Sequence, residues 1–228
     1  MRRLPFVLAA VPAAVSLLAS PVCAQAAGHG IAGVKGQATF YDLRSGGGNC
    51  SYLTPPADGL YVALSPGEYA GGAACGGYLD VTGPRGTVRV KVVDQCPECR
   101  KGQLDLSRKG FARVADPGKG LARVTYRPVR DPRVGAPLSF RVKEGSSRWW
   151  LGLLVIDHGN PLTSVEVRGA GGVWHKLART DYNYWIASSG AGKGPLTVRV
   201  TDSRGHRAIA KRVRLAPAVT QRTTATMY

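Results

Sequence analysis

Acidic side chains are scarce in this chain: 14 Asp and Glu stand against 31 Lys and Arg in 228 residues, a formal net charge of +17. A surface that unbalanced seeks polyanions. Histidine is sparser still, and His29, His158, His175 and His206 are scattered without an HExxH pair or any other ligand spacing. Neither a metal nor a cofactor is therefore expected. Helical periodicity is also rare, and beyond the first residues no apolar run is long enough to cross a membrane. No helix-turn-helix or RNA-binding signature accompanies the positive charge, which argues against nucleic acid as the partner.

What is present begins with Arg2 and Arg3, an apolar stretch from Phe6 to Leu18 and the small-residue sequence Ala24-Gln25-Ala26. This pattern reads as a secretory signal peptide over residues 1–26, so the mature chain is expected outside the cell. Without the leader, 29 basic residues face 14 acidic ones, net +15. Acidic wall polymers such as pectin, or a wall polymer of the producer itself, suit that charge and compartment; solubility alone is the plainer explanation.

Cleavage also removes Cys23 and leaves Cys50, Cys75, Cys96 and Cys99, an even set. In an oxidising compartment this means two disulfides, and one CxxC with two distant cysteines is a poor zinc site. Of the three connectivities, bridges from Cys50 and Cys75 to the two cysteines of the CPEC turn are favoured, because long loops restrict the unfolded chain most.

Strand alternation is common. TVRVKVVD (87–94) sets Val88, Val90 and Val92 against Arg89 and Lys91, and LSFRVKE (138–144) and LTVRVTD (196–202) repeat the pattern. One short helix is predicted within LSRKGFARVAD (106–116), opened by a Ser107 cap. The proline-rich YRPVRDPRVGAP (126–137) divides the chain: all the mature cysteines precede it, and Trp149, Trp150, Trp174 and Trp185 follow it. Two mostly β modules are expected, over 33–127 and 128–215, with a loosely ordered tail from 216 to 228.

Carboxylates mark the first module. Asp94 ends an alternating strand, and Asp105 lies between Leu104 and Leu106, where a charge is costly unless solvated or hydrogen-bonded. Asp105 could cap the helix that follows, or burial could raise its pKa and make it an acid. In the second module, EGSSRWWLGLLV (144–155) places two tryptophans side by side, which regular strand alternation would send to opposite faces.

GQATFYD, GGNCSY, AACGGYLDV, VVDQCPECRKGQLDLS, KEGSSRWW and TDYNYW occur in this order over nearly the whole mature chain, which resembles a bacterial expansin. The resemblance implies a six-stranded double-psi β-barrel followed by an immunoglobulin-like β-sandwich that binds carbohydrate. It also implies that the protein loosens plant-type walls without cutting them, acting on cellulose and xyloglucan-type glucans as a monomer. Asp105 matches the family's essential aspartate, Thr39 and Asp94 its supporting groove residues, and Trp149, Trp150 and Tyr182 its cellulose-binding row. Both tryptophans should then be exposed by a twist at Gly145-Ser146-Ser147, with Lys143 and Tyr41 contributing contacts. Trp174 and Trp185 have no match in the row and are assigned to packing. Cys96 stands where the family often has a tyrosine.

The barrel also resembles that of an endoglucanase family, so hydrolysis is the main rival, and inverting cleavage needs two carboxylates roughly 6.5–9.5 Å apart. In the motif Thr39-Phe40-Tyr41-Asp42-Leu43, leucine occupies the base's place and Asp42 is one residue off. Asp94 and Glu98 are the other candidates for a second carboxylate. A barrel-based protease inhibitor is a further alternative, which retention of Asp94, Asp105 and the aromatic module disfavours.

Overall fold

A computed structural model describes residues 33–43, 46–170 and 172–228, so the proposed leader over 1–26 lies outside the described residues. Among those described, no helix is long and apolar enough to cross a membrane. The described residues fall within one compact unit.

Six strands close the barrel: β1 (Val34–Tyr41), β2 (Tyr61–Leu64), β3 (Tyr78–Gly83), β4 (Gly86–Gln95), β5 (Gln103–Ser107) and β6 (Ala122–Pro128), in the spatial order β1-β5-β2-β4-β3-β6 with β6 back on β1. The β1–β5 and β2–β4 pairs are parallel. As the alternation requires, Val88, Val90 and Val92 of β4 are buried with Val62, Leu104 and Leu106. Two short helices adjoin the barrel, α1 (Pro66–Tyr69) and α2 (Arg108–Val114). The predicted cap is there: Ser107 Oγ accepts from Gly110 N at 3.0 Å, while Phe111 and Val114 turn into the core.

Nine strands follow: β7 (Ser139–Val142), β8 (Leu151–Ile156), β9 (Leu162–Arg168), β10 (His175–Lys176), β11 (Ala178–Arg179), β12 (Trp185–Ala187), β13 (Leu196–Asp202), β14 (Arg207–Val213) and β15 (Thr220–Arg222). They build a four-stranded sheet, β10-β9-β13-β14, and a five-stranded one, β11-β12-β8-β7-β15. Phe140, Leu153, Val165, Val198 and Trp185 fill the space between them. Leu154 and Tyr184, on the other face of the five-stranded sheet, join the barrel's apolar cluster instead. That face docks the sandwich on the barrel, and Lys91 of β4 adds an ion pair to Asp157 at 3.6 Å.

Two expectations need correction. The tail is ordered: Thr220–Arg222 pairs with β7, Leu138 exchanges backbone hydrogen bonds with Thr223 and Ala225, and Met227 is buried. Turn-like composition concealed an edge strand, because β7 offers it an unpaired side. Deleting residues 220–228 is therefore expected to cost at least about 2 kcal/mol, the burial of one methionine side chain; an unchanged urea midpoint would contradict this.

The disulfides are Cys50–Cys75 and Cys96–Cys99, not bridges from the first pair to the CPEC turn. Cys50 N donates to Val93 O and Gly76 N to Val92 O, so the first two cysteines meet on the same stretch of β4, within the main core. The CPEC pair packs with Ala63 and Tyr41 in a separate cluster. Loop length ranks entropic gain, but only Cα separation and Cβ direction decide which thiols can meet.

Candidate functional site

The register across four barrel strands aligns the predicted polar residues. Thr39 of β1 is level with Asp105 of β5, which is level with Ala63 of β2, which is level with Asp94 of β4. Strict alternation from Val88, Val90 and Val92 would send Asp94 into the barrel. The β2–β4 ladder shifts register between Val62 and Ala63, skipping Val93, and this bulge brings Asp94 round to the face of Asp105. Two strand spacings of about 4.8 Å, roughly 10 Å in all, separate the two aspartate backbones.

Asp105 is half-buried, and its Oδ1 accepts from the Thr39 hydroxyl at 2.7 Å. Among the described residues its Oδ2 has no hydrogen-bond partner. Burial pushes its pKa above the ordinary aspartate value, the Thr39 bond pulls the other way, and the negative charges of Glu98 and then Asp94 add to the rise. The helix cap belongs to Ser107, so capping does not explain Asp105. Asp94 is committed differently: Oδ1 accepts from Asn49 N (2.6 Å) and Gln95 N (2.9 Å), and Oδ2 lies 3.4 Å from the Tyr41 hydroxyl. Burial first, and the Asp94 charge second, raise the Tyr41 pKa, so this phenol stays protonated. Asp42 points elsewhere, exposed and 3.5 Å from Arg108. Glu98 is exposed in the CPEC turn.

Asn49 is a residue that sequence reasoning missed. Besides its bond to Asp94, its side chain donates to Tyr69 Oη (3.0 Å) and to the Asp181 carbonyl (3.2 Å), where Tyr69 Oη also donates (2.7 Å). Ser51 Oγ donates to the Tyr182 carbonyl at 2.7 Å, and Asn183 Nδ2 to the Cys50 carbonyl at 3.1 Å. One barrel loop thus holds both the Asp94 carboxylate and the sandwich loop that carries Tyr182. Its available signal was the glycine run before Cys50: a Cβ on Gly48, whose φ is +71°, would stand 2.5 Å from Val93 O.

The tryptophan pair lies in a turn ahead of β8, not in a regular strand. Ser147 N donates to Trp150 O at 2.7 Å, making Arg148 and Trp149 the tip residues, while Lys143 N donates to Gly152 O. Trp149 is 68 % exposed. Trp150 is half-buried rather than fully open, because its ring lies along β8: a Cβ on Gly152 would meet Trp150 Cη2 at 3.1 Å. Tyr182 is half-buried, its ring 6.0 Å from that of Tyr184, over which Lys143 Nζ sits at 5.4 Å. Trp185 is in the core as assigned. Trp174 is not: it stands half-exposed between Arg168 (4.7 Å) and Arg199 (4.3 Å), stacked by guanidinium groups that the polar composition around it did not reveal.

The fold defines a two-module, mostly β protein, a closed double-psi barrel with a sandwich docked on it. Residues 61–126 match the family model described as lytic transglycolase, and residues 134–214 that of the expansin C-terminal domain. Expansin-YoaJ of Bacillus subtilis is 36 % identical over 175 residues, 75 % of this chain and 74 % of that protein. Expansin-B4 of Arabidopsis thaliana is 27 % identical over 80 % of both. A crystal structure of a mutant Clavibacter michiganensis expansin in complex with cellohexaose is 48 % identical and superposes with a TM-score of 0.82, covering 86 % of this chain and 98 % of that one. The chain belongs to the expansin family.

Proposed function

We propose that this protein is a secreted expansin that loosens cellulose-based walls without hydrolysis. The observation that carries this reading is the joint anchoring of the two sites: the Asn49–Ser51 loop binds Asp94 on one side and the Asp181–Tyr182 backbone on the other. A glucan lying on Trp149, Trp150 and Tyr182 would thereby be held in fixed relation to the row containing Thr39, Asp105 and Asp94. Flat indole and phenol rings suit the apolar C–H faces of glucose and leave its hydroxyl edges free. The cellohexaose held by the Clavibacter relative supports cellulose as the ligand.

Asp105, with Oδ2 uncommitted, would bond a hydroxyl of a neighbouring chain and displace a glucan–glucan contact, Asp94, Thr39 and Tyr41 lining its approach and Lys143 adding a polar contact beside the rings. Hydrolysis would need a second, free carboxylate. Asp94 is occupied by two backbone N–H groups and Tyr41, Asp42 is turned to Arg108, and Glu98 stands exposed in the CPEC turn, off the strand row that carries Asp105. Those commitments favour slippage over cleavage. The carboxylate row lies on barrel strands and the rings lie on the sandwich, so each site would sit on its own module, and the net positive surface would add attraction to pectin or peptidoglycan. No cofactor or metal enters this reading, and the protein is taken as a monomer.

The direct test applies the purified protein to a cellulose–xyloglucan network under load and follows creep and soluble sugar in the same sample. Creep without sugar release is expected. Sugar release rising in proportion to creep would make the protein an endoglucanase and overturn the proposal.

A further inference from the structure

We infer that the free edge of β14 is a docking site for an extended acidic polypeptide, which joins the four-stranded sheet as an added strand. β14 pairs with β13 alone, so alternate residues of Arg207–Val213 turn their backbone N–H and C=O away from the sheet. β15 ends the other sheet in the same way, and the two edge strands border a groove of about 760 Å³ lined by residues 209–214 and 220–225. One end of this groove already holds an amide in the manner of a partner strand. The Gln221 side chain accepts from Arg214 N at 2.9 Å and donates to Arg214 O at 2.8 Å, the pair of bonds that a residue of an antiparallel neighbour makes. Among the described residues, no side chain takes that place along 207–211.

Charge selects the occupant. The groove is lined by Lys211, Arg212, Arg214 and Arg222 and by no carboxylate. All of these cations are exposed, and among the described residues none makes an ion pair. Cations on an edge strand keep copies of one chain apart, since two β14 edges brought together would set Arg207 and Lys211 against like charges. The same charges favour an acidic strand. Along β14 the exposed side chains run Arg207, Ile209, Lys211, with Ile209 open by half, while Ala208 and Ala210 turn inward. The complementary strand therefore reads acid, apolar, acid at alternate positions, with small residues between them. A polyuronate has the charges but neither the apolar middle nor a ladder of backbone N–H groups, so this edge differs in kind from a general attraction of the basic surface for acidic glycans. The tryptophan turn precedes β8, so the docking edge and the aromatic row belong to different sheets.

The experiment titrates the purified protein against a labelled, end-capped peptide, Thr-Glu-Thr-Val-Thr-Glu-Thr, and follows fluorescence anisotropy. Two N-methylated forms are compared with it, one blocked at the Glu and Val nitrogens and the other at the Thr nitrogens. In an added strand only one of these sets faces β14, so one methylated peptide is expected to bind about tenfold more weakly and the other to keep the parent's affinity. Lys211→Gln should weaken binding of the parent peptide about fivefold, the upper range for an exposed ion pair. Arg168→Gln, which removes an exposed cation from β9, should behave as wild type. Equal affinities of the two methylated peptides, both kept or both lost, would overturn the inference, as would a parent peptide that shows no saturable binding. Displacement of the peptide by oligogalacturonate at matched carboxylate concentration, or equal losses in Lys211→Gln and Arg168→Gln, would reduce the effect to overall charge and overturn it as well.

Discussion

Asp105→Asn is expected to abolish wall loosening while leaving cellulose binding and folding intact. The side chain keeps its shape, and an amide oxygen can still accept the Thr39 hydroxyl that Asp105 Oδ1 now accepts at 2.7 Å. What disappears is the anionic oxygen that would face the glucan in the proposed complex, and with it the stronger of the hydrogen bonds that a sugar hydroxyl could make. Stability should move the other way. Because the folded-state pKa of Asp105 is raised, mainly by burial, the folded protein binds its proton more tightly than the unfolded chain does. Wild-type stability from this group is therefore complete below the ordinary aspartate pKa of about 3.8–3.9 and declines as pH rises through the raised value. The asparagine has no such decline, so the variant should match or exceed the wild type in urea unfolding at neutral pH, and the difference should shrink in acid. Loss of creep together with loss of stability would point to unfolding instead. Retained creep would remove Asp105 from the mechanism.

The parts of this molecule that were legible in the sequence are those in which one local rule acts alone. Val88, Val90 and Val92 alternate because one face of β4 meets the core, and Ser107 caps α2 because a hydroxyl satisfies a free N–H at a helix start. Reading failed where two distant segments decide the outcome. Asp94 faces Asp105 only because the β2–β4 ladder skips Val93, and nothing in VKVVDQ announces which valine is the extra one. Asn49 looks like a turn residue until the Asp181 carbonyl, 132 positions later, arrives at its amide. The same holds for Trp174, whose partners Arg168 and Arg199 come from two different strands, and for the tail, which has a place only because β7 has a free edge. The family resemblance pointed to Asp105 without a geometric argument; the half-buried carboxyl and its open oxygen are the geometry behind that expectation.

Removing the two disulfides one at a time should separate stability from site geometry, and the larger loss belongs to Cys50–Cys75. On the loop-entropy relation, a bridge across 25 residues contributes about 3.5 kcal/mol and one across 3 residues about 1.6 kcal/mol. With a urea dependence of about 2 kcal/mol/M, Cys50→Ala with Cys75→Ala should lower the midpoint by about 1.7 M, about twice the shift for Cys96→Ala with Cys99→Ala. The first pair does more than close a loop. Cys50 O accepts from Asn183, and the neighbouring Ser51 and Asn49 hold the Tyr182 and Asp181 carbonyls, so the loop that this bridge pins is the one that clamps the sandwich to the barrel. Freed from Cys75, that loop should let the modules unfold in two steps where the wild type, with Leu154 and Tyr184 shared into the barrel cluster, unfolds in one. Cellulose binding should survive, since the indoles and β8 lie wholly in the sandwich, while creep should fall because the carboxylate row and the aromatic row no longer act on the same glucan. The CPEC pair predicts the reverse balance: its sulfurs pack on Ala63, between Asp105 and Asp94, and under Tyr41, so its loss should distort the site more than it weakens the fold. Equal midpoint shifts for the two double variants, or creep that outlasts the first, would show that the anchoring loop does not depend on its disulfide.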